Sequence, residues 1–125
     1  MLKKIFCAAI LCAAVYCTAV FLLINAASAQ DVWVDSENGT DYYVMDETFV
    51  NETKYRDNRQ FTVNVKFVRD QKAEMKKFSF RENDGMIFCS IDGGEKGFVY
   101  KGTATYAVWE FGLKFLGIDY EVRYD

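Results

Sequence analysis

The side chains that could carry out acid-base chemistry here are carboxylates and tyrosines, because the 125 residues include no histidine. The lack of histidine excludes Ser-His-Asp and Cys-His catalysis, as well as zinc sites built on imidazole. The 18 Asp and Glu residues are scattered along the sequence, and their spacing singles out no pair for acid and base work. We therefore predict no catalytic residue. A small enzyme that uses carboxylates and Tyr alone is the alternative.

Two short segments resemble ligand-binding loops without meeting their requirements. Residues 92–97 are rich in glycine but lack the Gly-Lys-Ser/Thr ending of a phosphate loop, so they indicate a hairpin turn. Residues 35–41 alternate oxygen-bearing side chains as a calcium loop does. However, Gly39 is out of phase, and Asp46 stands at the twelfth position, where a calcium loop has Glu. The sequence predicts neither a metal ion nor a cofactor.

The first 29 residues have the order of a secretory signal peptide. Lys3 and Lys4 precede an apolar run over residues 5–24, and Ala27 and Ala29 then form an A-x-A site. Cleavage between Ala29 and Gln30 would leave residues 30–125 as a single small domain outside the cytoplasm, either in the periplasm or secreted to the cell surface. The apolar run has 20 residues and could span a bilayer, so an uncleaved membrane anchor is the alternative.

Removal of this leader leaves an acidic chain with one cysteine. Residues 30–125 contain 13 basic and 18 acidic side chains, a formal charge of −5, which disfavours nucleic acid and anionic membranes as partners. Cys89 has no second cysteine to bridge within the domain. It stands between Ile87 and Ile91 on one face of a predicted strand, so we expect a buried thiol. A reactive thiol or a bridge between two chains is the alternative.

The elements that would position these side chains are mainly strands. Alternation of apolar residues over residues 61–68 predicts a half-buried strand, and Asn38-Gly39 and Asp84-Gly85 predict hairpin turns. The pattern as a whole predicts an antiparallel meander of about five to seven strands.

The C-terminal part changes from a period of two to that of a helix. Tyr106, Trp109, Leu113 and Leu116 recur at spacings of three and four, and Gly117 follows as a C-cap. Gly112 disfavours a helix here by about 1 kcal/mol of propensity, although a glycine can also mark close packing on a sheet. Residues 118–125 alternate again and predict a final strand. The expected fold is therefore α+β, with one amphipathic helix packed on a face of the sheet.

Aromatic content is the sequence feature that points to function. Residues 30–125 include 18 Phe, Tyr and Trp residues, more than a helix-on-sheet core of this size needs. Tyr42 and Tyr43 must face opposite sides of a strand, as must Phe98 and Tyr100 relative to Val99. Exposed rings on a sheet suit recognition of a protein or glycan surface. Packing of these rings beneath the helix and long Lys side chains is the alternative.

A family resemblance is carried by Trp33-Val34 and by residues 41–46 and 61–66. Together these segments resemble the opening of the bacterial surface-adhesin protein E-like families, small exported domains with a helix on an antiparallel sheet. The resemblance covers about residues 33–69 and implies a binding role without catalysis. It carries over no ligand-contact residue. The helix bearing Trp109 and the lack of a disulfide pair depart from the pattern.

These observations predict an exported, non-catalytic binding module that recognises a protein or envelope partner through an aromatic-rich sheet surface. An inhibitor of an extracytoplasmic enzyme is a second version, in which a flexible loop such as residues 52–59 would carry the binding.

Overall fold

The computed structural model of the protein describes residues 30–123. The predicted signal peptide, including Ala29 of its cleavage site, lies outside the described residues, as do residues 124 and 125 of the predicted final strand. Gln30, on the other side of the predicted cleavage site, is exposed. Over residues 30–123, no helix has the length and apolar character needed to cross a membrane.

One antiparallel sheet contains all the strands of the described chain. Its strands follow the order β1-β2-β4-β5-β6-β7, and the short β3 pairs with β4 beside this path. The α+β class and the predicted number of strands are confirmed. The strands are β1 (Asp31–Glu37), β2 (Thr40–Met45), β3 (Val50–Asn51), β4 (Gln60–Arg69), β5 (Lys72–Asn83), β6 (Met86–Ile91) and β7 (Gly97–Phe98).

Two-residue loops close the predicted hairpins and set the register of their strands. Asn38 and Gly39 have φ values of 52° and 79°, and Asp84 and Gly85 have φ values of 49° and 79°. Left-handed backbone at both loop residues matches the right-handed twist of the flanking strands, which explains the Asn-Gly and Asp-Gly choice. Both predicted turns are confirmed.

The helix α1 (Ala104–Phe115) lies where the sequence predicts it. The Thr103 hydroxyl accepts a hydrogen bond from the Tyr106 backbone N–H (3.2 Å), and the Glu37 carboxylate accepts one from the Ala104 N–H (2.6 Å). These two oxygens satisfy N–H groups that have no partner inside the helix, and the carboxylate also favours the positive end of the helix dipole. Because Glu37 belongs to β1, this contact ties the start of α1 to the edge of the sheet.

The core lies between α1 and one face of the sheet. The Trp109 ring stacks on the Phe61 ring, with centroids 5.3 Å apart. A Cβ at Gly112 would clash with Cζ of Phe61, so only glycine lets the helix approach this closely. Of the two interpretations of this glycine, close packing on the sheet is the one that the structure bears out. The buried core cluster comprises Val44, Phe61, Val63, Val65, Phe78, Phe80, Cys89, Val99, Val108, Trp109 and Ile118.

The predicted final strand is wrong as far as the chain is described, because residues 118–123 have no strand pairing. Burial nevertheless alternates along this tail: Ile118 is buried and Tyr120 half-buried, whereas Asp119 and Glu121 are exposed. The period-2 pattern thus predicted correctly which side chains point inward, but not which group hydrogen-bonds to the backbone carbonyls of the tail.

That partner is the guanidinium of Arg59. Its Nη1 donates to the carbonyl oxygens of Ile118 (2.8 Å) and Tyr120 (3.2 Å), while Nε and Nη2 donate to the Glu82 carboxylate at 2.9 and 2.6 Å. A side chain, and not a neighbouring strand, therefore binds the tail carbonyls.

Candidate functional site

The sheet has a second face, opposite to α1 and the core. Residues directly across from each other in neighbouring strands share a face, and successive residues of one strand alternate. The face opposite the core, here called the helix-free face, consists of the even-numbered residues of β4 and β6, the odd-numbered residues of β5, and Tyr43 and Phe98. The only α-helix of residues 30–123 lies on the other side.

A row of side chains crosses four strands of this face. Gln60 of β4 lies opposite Arg81 of β5, which lies opposite Phe88 of β6, which lies opposite Phe98 of β7. Antiparallel pairing thus brings together four residues that are far apart in the sequence.

Aromatic rings end this row at the β7 edge. The ring centroids of Phe88 and Phe98 are 4.7 Å apart, and those of Phe98 and Tyr100 are 5.9 Å apart with planes 26° from parallel. Phe98 is 50% exposed and Tyr100 is 67% exposed, whereas Val99 between them is buried. This confirms the prediction that Phe98 and Tyr100 point to one side of the backbone and Val99 to the other. The three rings of Phe88, Phe98 and Tyr100 are called the aromatic ladder below.

A depression of about 200 Å³ adjoins the aromatic ladder. Phe88 belongs to both features, so the ladder and the depression form one continuous surface. The residues that line the depression combine polar side chains with two aromatic ones: Glu52, Gln60, Ser79, Phe80, Arg81, Phe88, Ser90 and Lys96.

The charges around the depression are mainly positive. Arg81 and Lys96 are both exposed, and neither forms an ion pair with another residue in the 30–123 range. Glu52 supplies the opposing carboxylate. Residues 30–125 carry a formal charge of −5, so a depression with two unpaired cations is unusual for this acidic chain.

The two adjacent tyrosines of β2 lie on opposite faces, as predicted. Tyr42 is paired with Phe67 on the core side, with ring centroids 4.8 Å apart, whereas Tyr43 is opposite Lys66 and Trp33 on the helix-free face. Trp33 is 55% exposed, and its Nε1 donates to the Ser36 hydroxyl at 3.0 Å. The helix-free face therefore has aromatic residues at both of its edges.

A second group of aromatic rings lies outside this face. Phe49 is 4.7 Å from Phe115 and 6.0 Å from Phe111, centroid to centroid. Phe115, near the end of α1, is 50% exposed, as Phe98 is. Phe115 provides a comparison for the ladder, because it is as exposed as Phe98 but packs against half-buried rings near α1.

The cysteine is buried, as predicted. Cys89 is 6% exposed, and burial raises the pKa of its thiol to about 12. A thiol that stays protonated at neutral pH is a poor nucleophile. Cys89 therefore belongs to the core and not to the helix-free face.

The polar segment before β4 is closed by hydrogen bonds. The Glu52 N–H donates to the Gln60 carbonyl (2.8 Å), the Thr53 hydroxyl contacts the same carbonyl (3.1 Å), and Tyr55 bridges to Asn58. The loop that the inhibitor alternative requires to be flexible is thus tied to the start of β4.

Residues 30–123 contain no group of three His, Cys, Asp or Glu side chains close enough to hold a metal ion.

Sequence reasoning identified the exposed rings of the site but missed its polar part. The sequence does not distinguish the polar residues of the site, Gln60, Arg81 and Lys96, from other surface residues. Isolated polar side chains are common on the exposed side of a strand or turn. The signal for Arg81 was present, however. The two-residue Asp84-Gly85 loop fixes the β5–β6 register and thereby places Arg81 opposite Phe88.

No family model, curated protein or solved structure matches this chain. The resemblance to the surface-adhesin protein E-like families stays a prediction.

Proposed function

We propose that the protein is an exported, non-catalytic binding module that recognises a partner in the cell envelope through the aromatic ladder and its depression. The observation that carries this proposal is the pair of neighbouring exposed rings, Phe98 of β7 and Tyr100 two residues after it. Each ring offers a large apolar area with few rotatable bonds, so its burial by a partner is favourable and costs little conformational entropy.

The form of the surface supports binding in preference to catalysis. Acid-base catalysis by carboxylates needs two of them facing each other across a substrate pocket. The depression contains one carboxylate, Glu52, beside two cations, and it opens onto the exposed ladder. Such an arrangement can orient a ligand, but it lacks the second acid of a carboxylate pair.

The proposed location in the cell envelope depends on the predicted signal peptide. A chain exported through residues 1–29 would meet envelope proteins and glycans. Exposed aromatic residues at the centre of an interface commonly provide most of the binding energy.

The test is a binding isotherm of the chain beginning at Gln30 on envelopes prepared from the native host. The chain from Asp31 onward forms one compact unit, and its core residues lie between Val44 and Ile118, so this chain retains the whole core. We expect saturable binding that weakens about tenfold or more in the double variant Phe98→Ala/Tyr100→Ala.

Phe115→Ala is the matched control, since this ring has the same exposure but lies on α1. It should bind as the parent chain does. Equal affinities of the parent and the double variant, with both folded by circular dichroism, would contradict the proposal.

A further inference from the structure

We propose that the depression beside the aromatic ladder binds an acidic glycan, an oligosaccharide whose sugar rings carry carboxylates. This inference rests on the proposed function, because it names the ligand class of the same surface.

The polar lining of the depression matches a ligand that is rich in hydroxyl groups. Ser79 and Ser90 contribute hydroxyls, Gln60 an amide and Glu52 a carboxylate. The Ser90 hydroxyl donates to the Gly94 carbonyl at 2.7 Å, which leaves its oxygen to accept a bond from a ligand. A sugar hydroxyl both donates and accepts, so it can use each of these groups.

The aromatic ladder matches the other property of a sugar ring, its apolar face. Phe88 lines the depression and lies 4.7 Å from Phe98, which in turn lies 5.9 Å from Tyr100. A chain of sugar rings could therefore hydrogen-bond in the depression and continue along exposed aromatic surface. The apolar part of such a ligand would be removed from water without any rearrangement of the sheet.

The two cations indicate that the ligand carries negative charge. Arg81 and Lys96 line the same depression, and no acid of the described residues pairs with either. An Arg guanidinium can donate two parallel hydrogen bonds to a carboxylate, which adds geometric selectivity to the attraction. Charge complementarity thus favours a carboxylated glycan over a neutral one.

An acidic peptide would also be attracted to these cations, but it fits the surface less well. Glu52 repels the carboxylates of either ligand, but it can accept hydrogen bonds from sugar hydroxyls, which the side chains of an acidic peptide lack. A peptide that extended the sheet beside the aromatic ladder would have to pair at the β7 edge, and β7 has only two residues. This strand offers too few backbone groups for strand addition.

The experiment is a calorimetric titration of the chain beginning at Gln30 with three probes. They are a hexamer of galacturonic acid, its carboxyl-reduced neutral counterpart, and a hexaglutamate peptide. We expect the acidic hexamer to bind at least tenfold more tightly than either of the other two.

Two variants test whether the depression is the site. Arg81→Gln should weaken binding of the acidic hexamer about tenfold. Lys77→Gln should leave it within twofold of the parent, although Lys77 is also an exposed, unpaired cation on the same strand and the same face. Because the two variants lose the same charge, a difference between them reports position and not net charge.

Several results would overturn the inference: equal binding of the neutral hexamer, equal or tighter binding of hexaglutamate, or equal losses in Arg81→Gln and Lys77→Gln. Failure of all three probes would also overturn it. If Phe98→Ala/Tyr100→Ala still lost envelope binding in that case, the proposed function would stand with another ligand. If the double variant bound envelopes like the parent, both proposals would fail.

Discussion

Two arginines of this protein show how burial separates a structural cation from one available to a ligand. Arg59 is 8% exposed, and its donors are engaged by Glu82 and by the carbonyls of Ile118 and Tyr120. Arg81 lies on the helix-free face, is exposed, and has no ion pair in the part of the chain that the structure describes. A buried charge must be paired to be tolerated, whereas an exposed one can exchange water for a ligand at small cost.

The thiol of Cys89 should make the stability of the protein depend on pH in the alkaline range. Burial raises its pKa to about 12, although a hydrogen bond with the Ser79 backbone opposes the shift. Above about pH 8.5 the unfolded chain loses the thiol proton while the folded chain keeps it, so the free energy of unfolding falls as pH rises. From pH 8 to pH 10 we expect this group to remove roughly 1 to 2 kcal/mol, measured by urea unfolding.

Cys89→Ala is the control for this prediction. The variant loses buried volume and should be less stable than the parent at pH 8, but its stability should change less between pH 8 and pH 10. The range ends at pH 10 because burial also raises the pKa values of Tyr42 and Tyr106, whose ordinary value is 10.0. Parallel pH profiles of the parent and the variant would show that Cys89 has no such role.

At the scale of elements, local rules predicted most of the fold and part of the site. Asn-Gly and Asp-Gly loops predicted two hairpins, and the helix period predicted α1. These features depend on residues within a few positions of each other. The depression was not predicted because it joins residues of β4, β5 and β6 with Lys96 of a turn, and only the assembled register brings them together.

The hairpin loop between β4 and β5 is the one whose sequence does not suit its conformation. Asp70 and Gln71 have φ values of 49° and 64°, so both adopt the left-handed region with no glycine. This region costs a residue with a side chain about 1 to 2 kcal/mol, and glycine recovers part of that cost after its greater freedom in the unfolded chain is counted. We expect Gln71→Gly to raise the free energy of unfolding by about 0.5 to 1 kcal/mol in urea titrations.

The converse change is Gly39→Ala in the first hairpin. Gly39 has a φ of 79° and no atom within 4 Å of an added Cβ, so a loss there would come from the backbone and not from a steric contact. It should lower the free energy of unfolding by about 1 kcal/mol. If Gln71→Gly left stability unchanged while Gly39→Ala reduced it, the loop at residues 70 and 71 would not be strained.

At the scale of the whole molecule, the C-terminal tail is held by a group distant in sequence. The hydrogen bonds from Arg59 to the carbonyls of Ile118 and Tyr120 span 59 and 61 residues. The sequence pattern gave the tail a period of two, which is shared by a strand and by any segment with one buried side. No local signal identifies a guanidinium as the partner, so the prediction of a strand failed here.

Removal of the tail should therefore destabilise the whole domain. A chain from Gln30 to Gly117 loses the buried Ile118 side chain and leaves Arg59 without two of its acceptors. Burial of an aliphatic side chain contributes about 1.5 to 3 kcal/mol and a hydrogen bond to a charged group about 1.5 to 3 kcal/mol. We expect urea unfolding to show a loss of at least about 3 kcal/mol relative to the chain ending at Asp125, or no folded state at all.

Tyr120→Phe removes only the hydrogen bond between the tail and the segment at residues 52–59, and so separates that contact from the loss of the whole tail. The Tyr120 hydroxyl donates to the Arg56 carbonyl at 3.0 Å at an exposed position, and its removal should cost about 1 kcal/mol or less. The ring, which lies 3.9 Å from the Arg56 guanidinium carbon and 5.4 Å from that of Arg59, stays in place. A truncated chain as stable as Tyr120→Phe would mean that the Arg59 contacts and the burial of Ile118 do not hold the domain together, and that the tail only covers its surface.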